Sequence, residues 1–256
     1  MITFEDQILA VETSSYCNLK CPMCTQSKVD YNKKTFMSFE LWKKFIDDLK
    51  REKKFFKKFL PFGLGEPFFH PKAYEIFDYL FQENKKREIF NTIIFHTNAS
   101  FMNEKISRLL LKNQYQIGAI HFSIDAASSE VYDKVRPGGN FDMVMRNIEF
   151  FIKNRSQIPP KLIFQFIVME KNYHEGKKFL ELFTKILSEN NMDFQINYDW
   201  FPEMKKDTIF FKRENTWNFT KLKESEDLHK KLVYDLGIIK EIPKGRILES
   251  NEFIKK

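Results

Sequence analysis

The chain has 256 residues, of which 43% are hydrophobic and 30% are charged, a composition typical of a globular protein with one sizeable core. Its formal net charge of +7 favours anionic ligands, but the basic residues are spread along the chain, so nucleic-acid binding is not predicted. No apolar run is long enough to cross a bilayer and no signal peptide is recognisable, which predicts a cytoplasmic protein.

Short apolar runs alternate with amphipathic stretches along the chain. The runs predict strands at residues 7–12, 59–64, 89–96, 119–125, 162–169 and 194–198. Helical patterns with apolar residues at three- and four-residue spacing lie between them, and a last helix is predicted at residues 221–236. This alternation implies parallel strands joined by right-handed crossovers.

Six strand–helix units are too few for a closed eight-stranded barrel. We therefore predict an α/β fold, an open partial (β/α)6 barrel of parallel strands with a short C-terminal extension. The barrel is assigned to residues 1–200 and the extension to residues 201–256, which we expect to cover the substrate site. Active-site residues are expected at the C-terminal ends of the strands.

All three cysteines of the chain follow the first predicted strand within eight residues of each other, at positions Cys17, Cys21 and Cys24. Three thiolates at this spacing can hold three corners of an iron–sulfur cube and leave one iron without a protein ligand. The alternative of structural zinc needs a fourth ligand, and the nearest histidine in the sequence is His70. Unrelated buried or reactive thiols would not explain the regular spacing.

The sequence CNLKCPMC at residues 17–24 resembles the signature of the radical S-adenosylmethionine (radical SAM) superfamily, in the form found in its SPASM-type members. The resemblance extends over roughly residues 7–200. It implies two cofactors, a [4Fe–4S] cluster and SAM, with an external one-electron donor such as flavodoxin or ferredoxin. In this family, SAM cleavage yields a 5′-deoxyadenosyl radical that takes hydrogen from the substrate. SPASM-type members carry further cysteines for auxiliary clusters; none follows Cys24 here, which favours a redox-neutral reaction.

Gly65, Glu66 and Pro67 end the second predicted strand. A glycine there allows close backbone approach to a ligand, the glutamate brings a carboxylate to the barrel mouth and the proline fixes the turn. The three residues resemble the family motif that binds the methionine amino group of SAM. Arg136 matches an arginine that meets the methionine carboxylate, for which a guanidinium has suitable geometry.

His121, Ser123 and Asp125 alternate along the fourth strand and are predicted to share one face. Ser123 and Asp125 belong to a stretch resembling a cofactor-binding motif, although Asp125 alternatively caps the next helix. His121 is interpreted as a core histidine. Two further residues are predicted to bind the cofactor: Asn98, at the end of the third strand, and Gln165, which either faces the ribose or substrate or bonds a neighbouring backbone.

These features predict a radical SAM enzyme that abstracts hydrogen from an organic substrate, which is a sugar, a nucleotide or a peptide. They predict no residue that acts on the substrate itself. A non-catalytic iron–sulfur protein for electron transfer or sensing is the main alternative, although such a protein needs no clamp for an amino acid. Ile196 and Tyr198 on the sixth strand are a loose match to residues that border the adenine.

Overall fold

A parallel β-sheet forms the centre of the molecule. The computed structural model describes residues 8–28, 34–156, 160–198, 205–215 and 219–241. Its strands are β1 (Ile8–Ala10), β2 (Phe56–Leu60), β3 (Phe90–Thr97), β4 (Ile117–Ser123), β5 (Lys161–Val168), β6 (Phe194–Asn197) and β7 (Asp207–Arg213). The order across the sheet is β1-β2-β3-β4-β5-β7-β6, and every neighbouring pair is parallel. The described sheet is open, with β1 and β6 at its edges, which confirms the predicted fold class.

Helices connect most of the strands. They are α1 (Thr25–Lys28), α2 (Phe39–Arg51), α3 (Ala73–Lys86), α4 (Glu104–Lys112), α5 (Ser129–Val135), α6 (Phe141–Asn154), α7 (Gly176–Glu189) and α8 (Phe219–Asp235). Side-chain caps fix where several of them begin: Ser38 accepts a hydrogen bond from the backbone N–H of Leu41, and Asn103 accepts one from Ile106. Among the described helices, none combines the length and the apolar character needed to span a membrane.

The two faces of the sheet have different surroundings. Because side chains alternate along a strand, Phe95, Phe122 and Phe164 point to the side covered by helices and are fully buried in the main core. Their neighbours along the strands, such as His96 and Gln165, point to the concave side. The main core therefore lies between sheet and helices, while the concave side carries polar residues together with a small separate apolar cluster.

The structure contains a strand that the sequence reading missed. All six predicted strands are present with shifted ends, but β7 lies beyond residue 200, where only an extension is predicted. It inserts between β5 and β6, so the predicted sixth strand occupies the sheet edge. Ile196 and Tyr198 are thus separated from β5 by β7. The division at residue 200 remains a prediction as a domain boundary, although the sheet continues past it.

Candidate active site

The loop that carries the three cysteines follows β1 and is held against the β2–α3 connection. The backbone N–H of Glu66 donates to the carbonyl oxygen of Tyr16 at 2.9 Å. A Cβ on Gly65 would lie 1.9 Å from the carbonyl oxygen of Ser14, so no other residue fits there without moving the loop. Gly138, with φ of +92°, lies against the same loop in a conformation that favours glycine.

A cavity of about 320 Å³ opens at the C-terminal ends of the strands and contains most of the predicted site residues. All three cysteines are part of its wall. The predicted cofactor-binding residues in the wall are Gly65, Glu66, Asn98, Ser123, Arg136 and Gln165. Pro67 and Asp125 are buried behind it, Pro67 as the first residue of a short 3-10 turn. The structure thus brings together residues that are 148 positions apart in the chain, from Cys17 to Gln165.

Glu66 presents a rigid carboxylate to this cavity. Its Oε1 accepts hydrogen bonds from the Thr97 hydroxyl at 2.7 Å and from the backbone N–H of Phe68 at 3.2 Å. Its Oε2 accepts one from the backbone N–H of Asn98 at 2.8 Å. Burial raises the pKa of Glu66 to about 7, and these hydrogen bonds oppose the rise. A cationic ligand would favour the ionised form of this carboxylate and bind to an acceptor that is already oriented.

Arg136 reaches the cavity from the end of α5 and is held by Asp125. Its Nη2 lies 2.5 Å from Asp125 Oδ2, and both side chains are buried. Asp125 Oδ1 accepts from the backbone N–H of Ile167 at 2.6 Å, which ties the pair to β5. Arg136 Nη1 points at Cys21 Sγ, 3.7 Å away. Of the three guanidinium nitrogens, the buried Nε alone has no hydrogen-bond partner.

Asp125 is not part of the cavity wall, and its expected role as a cofactor contact stays a prediction. The strand alternation that groups it with His121 and Ser123 ends at Ser123, the last residue of β4. Asp125 has φ of +61°, so its side chain no longer follows the period of an extended strand. Its carboxylate meets Arg136 and β5, and its carbonyl oxygen accepts from the Asn172 side chain at 2.8 Å.

Donor groups are also directed at the cysteine sulfurs. The backbone N–H of Leu19 lies 3.5 Å from Cys17 Sγ, and Asn98 Nδ2 lies 3.7 Å from the same atom. Arg136 makes a similar contact with Cys21. N–H groups therefore lie beside the sulfurs of Cys17 and Cys21, and such donors stabilise thiolates. Burial raises the pKa of Cys17 to about 11 and also raises that of Cys21.

The wall also contains residues that the sequence did not indicate as site residues, among them His96 and Lys212. His96 is stacked between Phe62 and His121, with ring centroids 4.1 and 3.9 Å apart, respectively. Lys212 lies on β7, the unpredicted strand, opposite Ile167 in the register. The alternation of side chains along β3 could have placed His96 on the concave side. Lys212 could not have been placed in the cavity without knowing that β7 is a strand. The interpretation of His121 as a core histidine agrees with its place in the stack.

The sequence matches the model of the Radical SAM superfamily over residues 11–183, more than half of the chain. The chain belongs to the radical SAM superfamily. Radical SAM proteins use a [4Fe–4S] cluster and SAM, so the predicted family, enzyme class and cofactors are confirmed.

Curated relatives of this radical SAM chain include two maturation or biosynthesis proteins. The mycofactocin maturase MftC of Mycolicibacterium smegmatis is 29% identical over 141 residues, which are 55% of this chain and 33% of MftC. The antilisterial bacteriocin subtilosin biosynthesis protein AlbA of Bacillus subtilis is 30% identical over 189 residues, 71% of this chain and 38% of AlbA. The aligned region thus spans about a third of each relative's length.

Solved structures share the fold. The structure of anSMEcpe with bound AdoMet superposes with a TM-score of 0.58 at 19% identity, covering 90% of this chain and 59% of that one. A radical SAM methyltransferase from Sphaerobacter thermophilus superposes with a TM-score of 0.53 at 12% identity, covering 91% of this chain and 65% of that one. At these identities the likeness concerns the fold alone.

The cysteine loop of this radical SAM chain brings three thiols to the wall of one cavity, as the ligands of a cluster require. Among the described residues, no three His, Cys, Asp or Glu side chains converge enough to hold one ion. A cluster has its irons at separate corners, so its thiolates need not converge on one point. The N–H donors around Cys17 and Cys21 match the anionic sulfurs that such a cluster requires.

The polar groups beside the cysteines fit the amino-acid part of SAM. Glu66 supplies an oriented acceptor for an ammonium, and the unpaired Nε of Arg136 supplies a buried donor for a carboxylate. A buried donor without a partner is costly, and a ligand carboxylate would remove that cost. The bidentate fork expected from the sequence is not available in this conformation, because Nη2 is engaged by Asp125 and Nη1 faces Cys21.

Proposed function

We propose that this radical SAM enzyme cleaves SAM reductively and abstracts a hydrogen atom from a peptide substrate, in a reaction that is redox-neutral overall. The observation that carries the proposal is the single cavity in which the three cysteines face Glu66 and Arg136. An electron carrier would have no need for such oppositely charged groups beside its cluster. When bound, the cluster and SAM supply a one-electron cleavage that generates a 5′-deoxyadenosyl radical.

The chain's own residues have distinct tasks in this proposal. Cys17, Cys21 and Cys24 hold the cluster, and Glu66 and Arg136 orient the ammonium and carboxylate of SAM. Asn98 links the cysteine loop to β3, because its Nδ2 donates to Asn18 Oδ1 at 3.0 Å and its backbone N–H donates to Glu66. Ser123 and Gln165, whose polar atoms lie 3.5 Å apart on neighbouring strands, are the proposed contacts of the ribose.

The choice of a peptide over a sugar or a nucleotide draws on the relatives. AlbA takes part in biosynthesis of a bacteriocin, and anSMEcpe has been crystallised with AdoMet and a peptide. The preference for a redox-neutral reaction draws on the sequence, whose cysteines are all in the first cluster motif. An external donor such as flavodoxin or ferredoxin would supply the electron.

Anaerobic reconstitution with iron and sulfide, followed by reduction in the presence of SAM, tests the proposal. We expect 5′-deoxyadenosine to form and the triple variant Cys17→Ala, Cys21→Ala, Cys24→Ala to lose both cluster iron and this product. A Lys20→Ala variant, altered at an exposed position of the same loop, is the matched control for handling of the loop. A cluster that forms without cleaving SAM would instead support an electron-transfer or sensing protein. Formation of the product on a peptide, with no net oxidation of that peptide, would support the finer proposal.

A further inference from the structure

The connection between β4 and α5 holds Asp125 in a backbone conformation that residues other than glycine adopt infrequently. Its φ of +61° lies in the left-handed region. Such a conformation persists where the surrounding contacts impose it. The backbone N–H groups of Ile124 and Asp125 both donate to the carbonyl oxygen of Gln165, at 3.3 and 3.2 Å. Further contacts that hold this connection come from the turn between β5 and α7.

Asn172, in that turn, is fully buried and bonds through its amide to three backbone groups. Its Nδ2 donates to the carbonyl oxygens of Asp125 and Ile167, each at 2.8 Å. Its Oδ1 accepts from the backbone N–H of Met169 at 2.8 Å. Because the N–H of Ile167 donates to Asp125 Oδ1, the backbone and the carboxylate of Asp125 are both tied to the end of β5.

Glu175, in the same turn, fixes where α5 begins. Its side chain is buried, and it accepts hydrogen bonds from the backbone N–H of Ala127 at 2.8 Å and from the hydroxyl of Ser128 at 2.5 Å. The same hydroxyl caps α5, because its oxygen accepts from the backbone N–H of Val131. Glu175 therefore holds the start of the helix whose end carries Arg136.

Arg136 is thus anchored twice by residues that lie outside the cavity wall. Its backbone is placed by α5, whose start is held by Glu175. Its guanidinium is placed by Asp125, whose backbone is held by Asn172. An arginine side chain has many rotamers, so the direction of its donors depends on such anchors. Loss of either anchor would leave the charge in the site and let the guanidinium change its orientation.

We propose that Asn172 and Glu175 are positioning residues, which orient Arg136 toward the carboxylate of SAM without touching the cofactor. This inference rests on the proposed function, because it concerns the carboxylate site assigned there to Arg136. It adds the turn between β5 and α7 to the elements that build the site. The partners Asp125 and Ala127 lie 47 and 48 positions earlier in the chain, so no local sequence pattern indicates this role.

Calorimetric titration of SAM into reconstituted variants of equal iron content, under anaerobic conditions, tests the inference. We expect Asn172→Ala to raise the Kd for SAM roughly tenfold. Asn84→Ala is the matched control, since Asn84 is also buried and bonds to the backbone of Ile89 and Phe90, at the opposite end of the strands. This control should lower the guanidinium unfolding midpoint by a similar amount and leave the Kd within about twofold of the wild type.

A double-mutant cycle separates positioning from a general loss of structure. If Asn172 acts through Arg136, Asn172→Ala should change the Kd less than about twofold in the Arg136→Gln background. A purely structural role would raise the Kd by the same factor in both backgrounds. Glu175→Ala should also weaken SAM binding, and Glu175→Gln should recover most of the lost affinity, because a glutamine can still bond to Ala127 and Ser128. This pair of variants decides the matter if Asn172→Ala does not fold.

The inference is overturned if Asn172→Ala or Glu175→Ala binds SAM as tightly as the wild type does. It is also overturned if Asn84→Ala weakens SAM binding as much as Asn172→Ala, or if the effect of Asn172→Ala persists undiminished in Arg136→Gln. Failure of the proposed function would appear separately, as a wild-type protein that assembles its cluster but neither binds nor cleaves SAM.

Discussion

Replacing Asp125 by Asn is expected to weaken SAM binding through Arg136, although Asp125 is not part of the cavity wall. The substitution preserves the size of the side chain and its acceptor for the backbone N–H of Ile167. It removes the negative charge next to Arg136 Nη2 and places an amide dipole there. The guanidinium then remains as a buried charge without its counterion, beside Cys21.

The size of the effect follows from the burial of this pair. Removing one partner of a buried ion pair costs roughly 3–5 kcal/mol of folding free energy, and we expect the lower end because Asn keeps one hydrogen bond. In the proposed site, SAM binding depends on the orientation of the Arg136 guanidinium, whose charge-assisted hydrogen bond to a carboxylate would be worth about 1.5–3 kcal/mol. A misplaced guanidinium should therefore raise the Kd for SAM by roughly 10- to 100-fold.

A second buried ion pair, between the end of α6 and the start of β7, provides a control. Arg155 and Asp207 form a bidentate pair at 2.8 and 2.6 Å, with side chains 9% and 6% exposed. Asp207 Oδ1 also accepts from a backbone N–H of β5, that of Leu162, at 2.7 Å. This pair lies at the opposite end of the strands, so Asp207→Asn should reduce stability by a similar amount and leave SAM binding unchanged.

The assay combines guanidinium unfolding with calorimetric titration of SAM into the reconstituted variants, at equal iron content. The reasoning is refuted if Asp125→Asn binds SAM within twofold of the wild type. It is equally refuted if Asp207→Asn weakens SAM binding as much as Asp125→Asn does, since a general loss of stability would then explain both.

Three further outcomes are expected. Gly65→Ala should lower the iron content after reconstitution, because the Cβ of the alanine would lie 1.9 Å from the carbonyl oxygen of Ser14 and displace the cysteine loop. A normal iron content would contradict this expectation. Glu66→Gln should raise the Kd for SAM roughly tenfold or more while retaining iron, as measured by titration and iron analysis. His121 has its pKa lowered to about 4 by burial and by Lys212, so the folded state resists protonation. The contribution of the neutral His121 imidazole to folding stability is present above the ordinary pKa of about 6.5 and is lost as the pH falls towards about 4. The unfolding midpoints of the wild type and His121→Phe should therefore converge or cross at low pH. Parallel curves would disprove the lowered pKa.

Much of the site could be predicted because its determinants are local in sequence. The cysteine spacing, the glycine before Glu66 and the polar residues at the strand ends are features of short segments. The alternation of β4 correctly places Ser123 in the cavity wall and fails two residues later at Asp125. The failure has a backbone cause, since a φ of +61° cannot be read from a pattern that assumes extended residues.

The seventh strand could not be predicted for a topological reason. Parallel neighbours usually need a connection of a dozen or more residues that contains a helix, and β7 follows β6 after residues 198–206 only. Its apolar stretch is short, Thr208–Phe211 being followed directly by Lys212 and Arg213, so it resembles the start of a polar tail. The strand is stabilised by pairing with β5 and β6 on both sides, and such long-range pairing leaves little trace in the local sequence.

The position of β7 bears on how the wall of the cavity is encoded in the sequence. The proposed cofactor residues, from Cys17 to Gln165, all lie within residues 11–183, the part that matches the superfamily. Lys212 lies outside that part, yet the register opposite Ile167 brings it to the same cavity. Changes on β7 can therefore alter the charge of the cavity wall without altering the cysteine loop, Glu66 or Arg136, because the strand is placed by its pairing with β5 and β6.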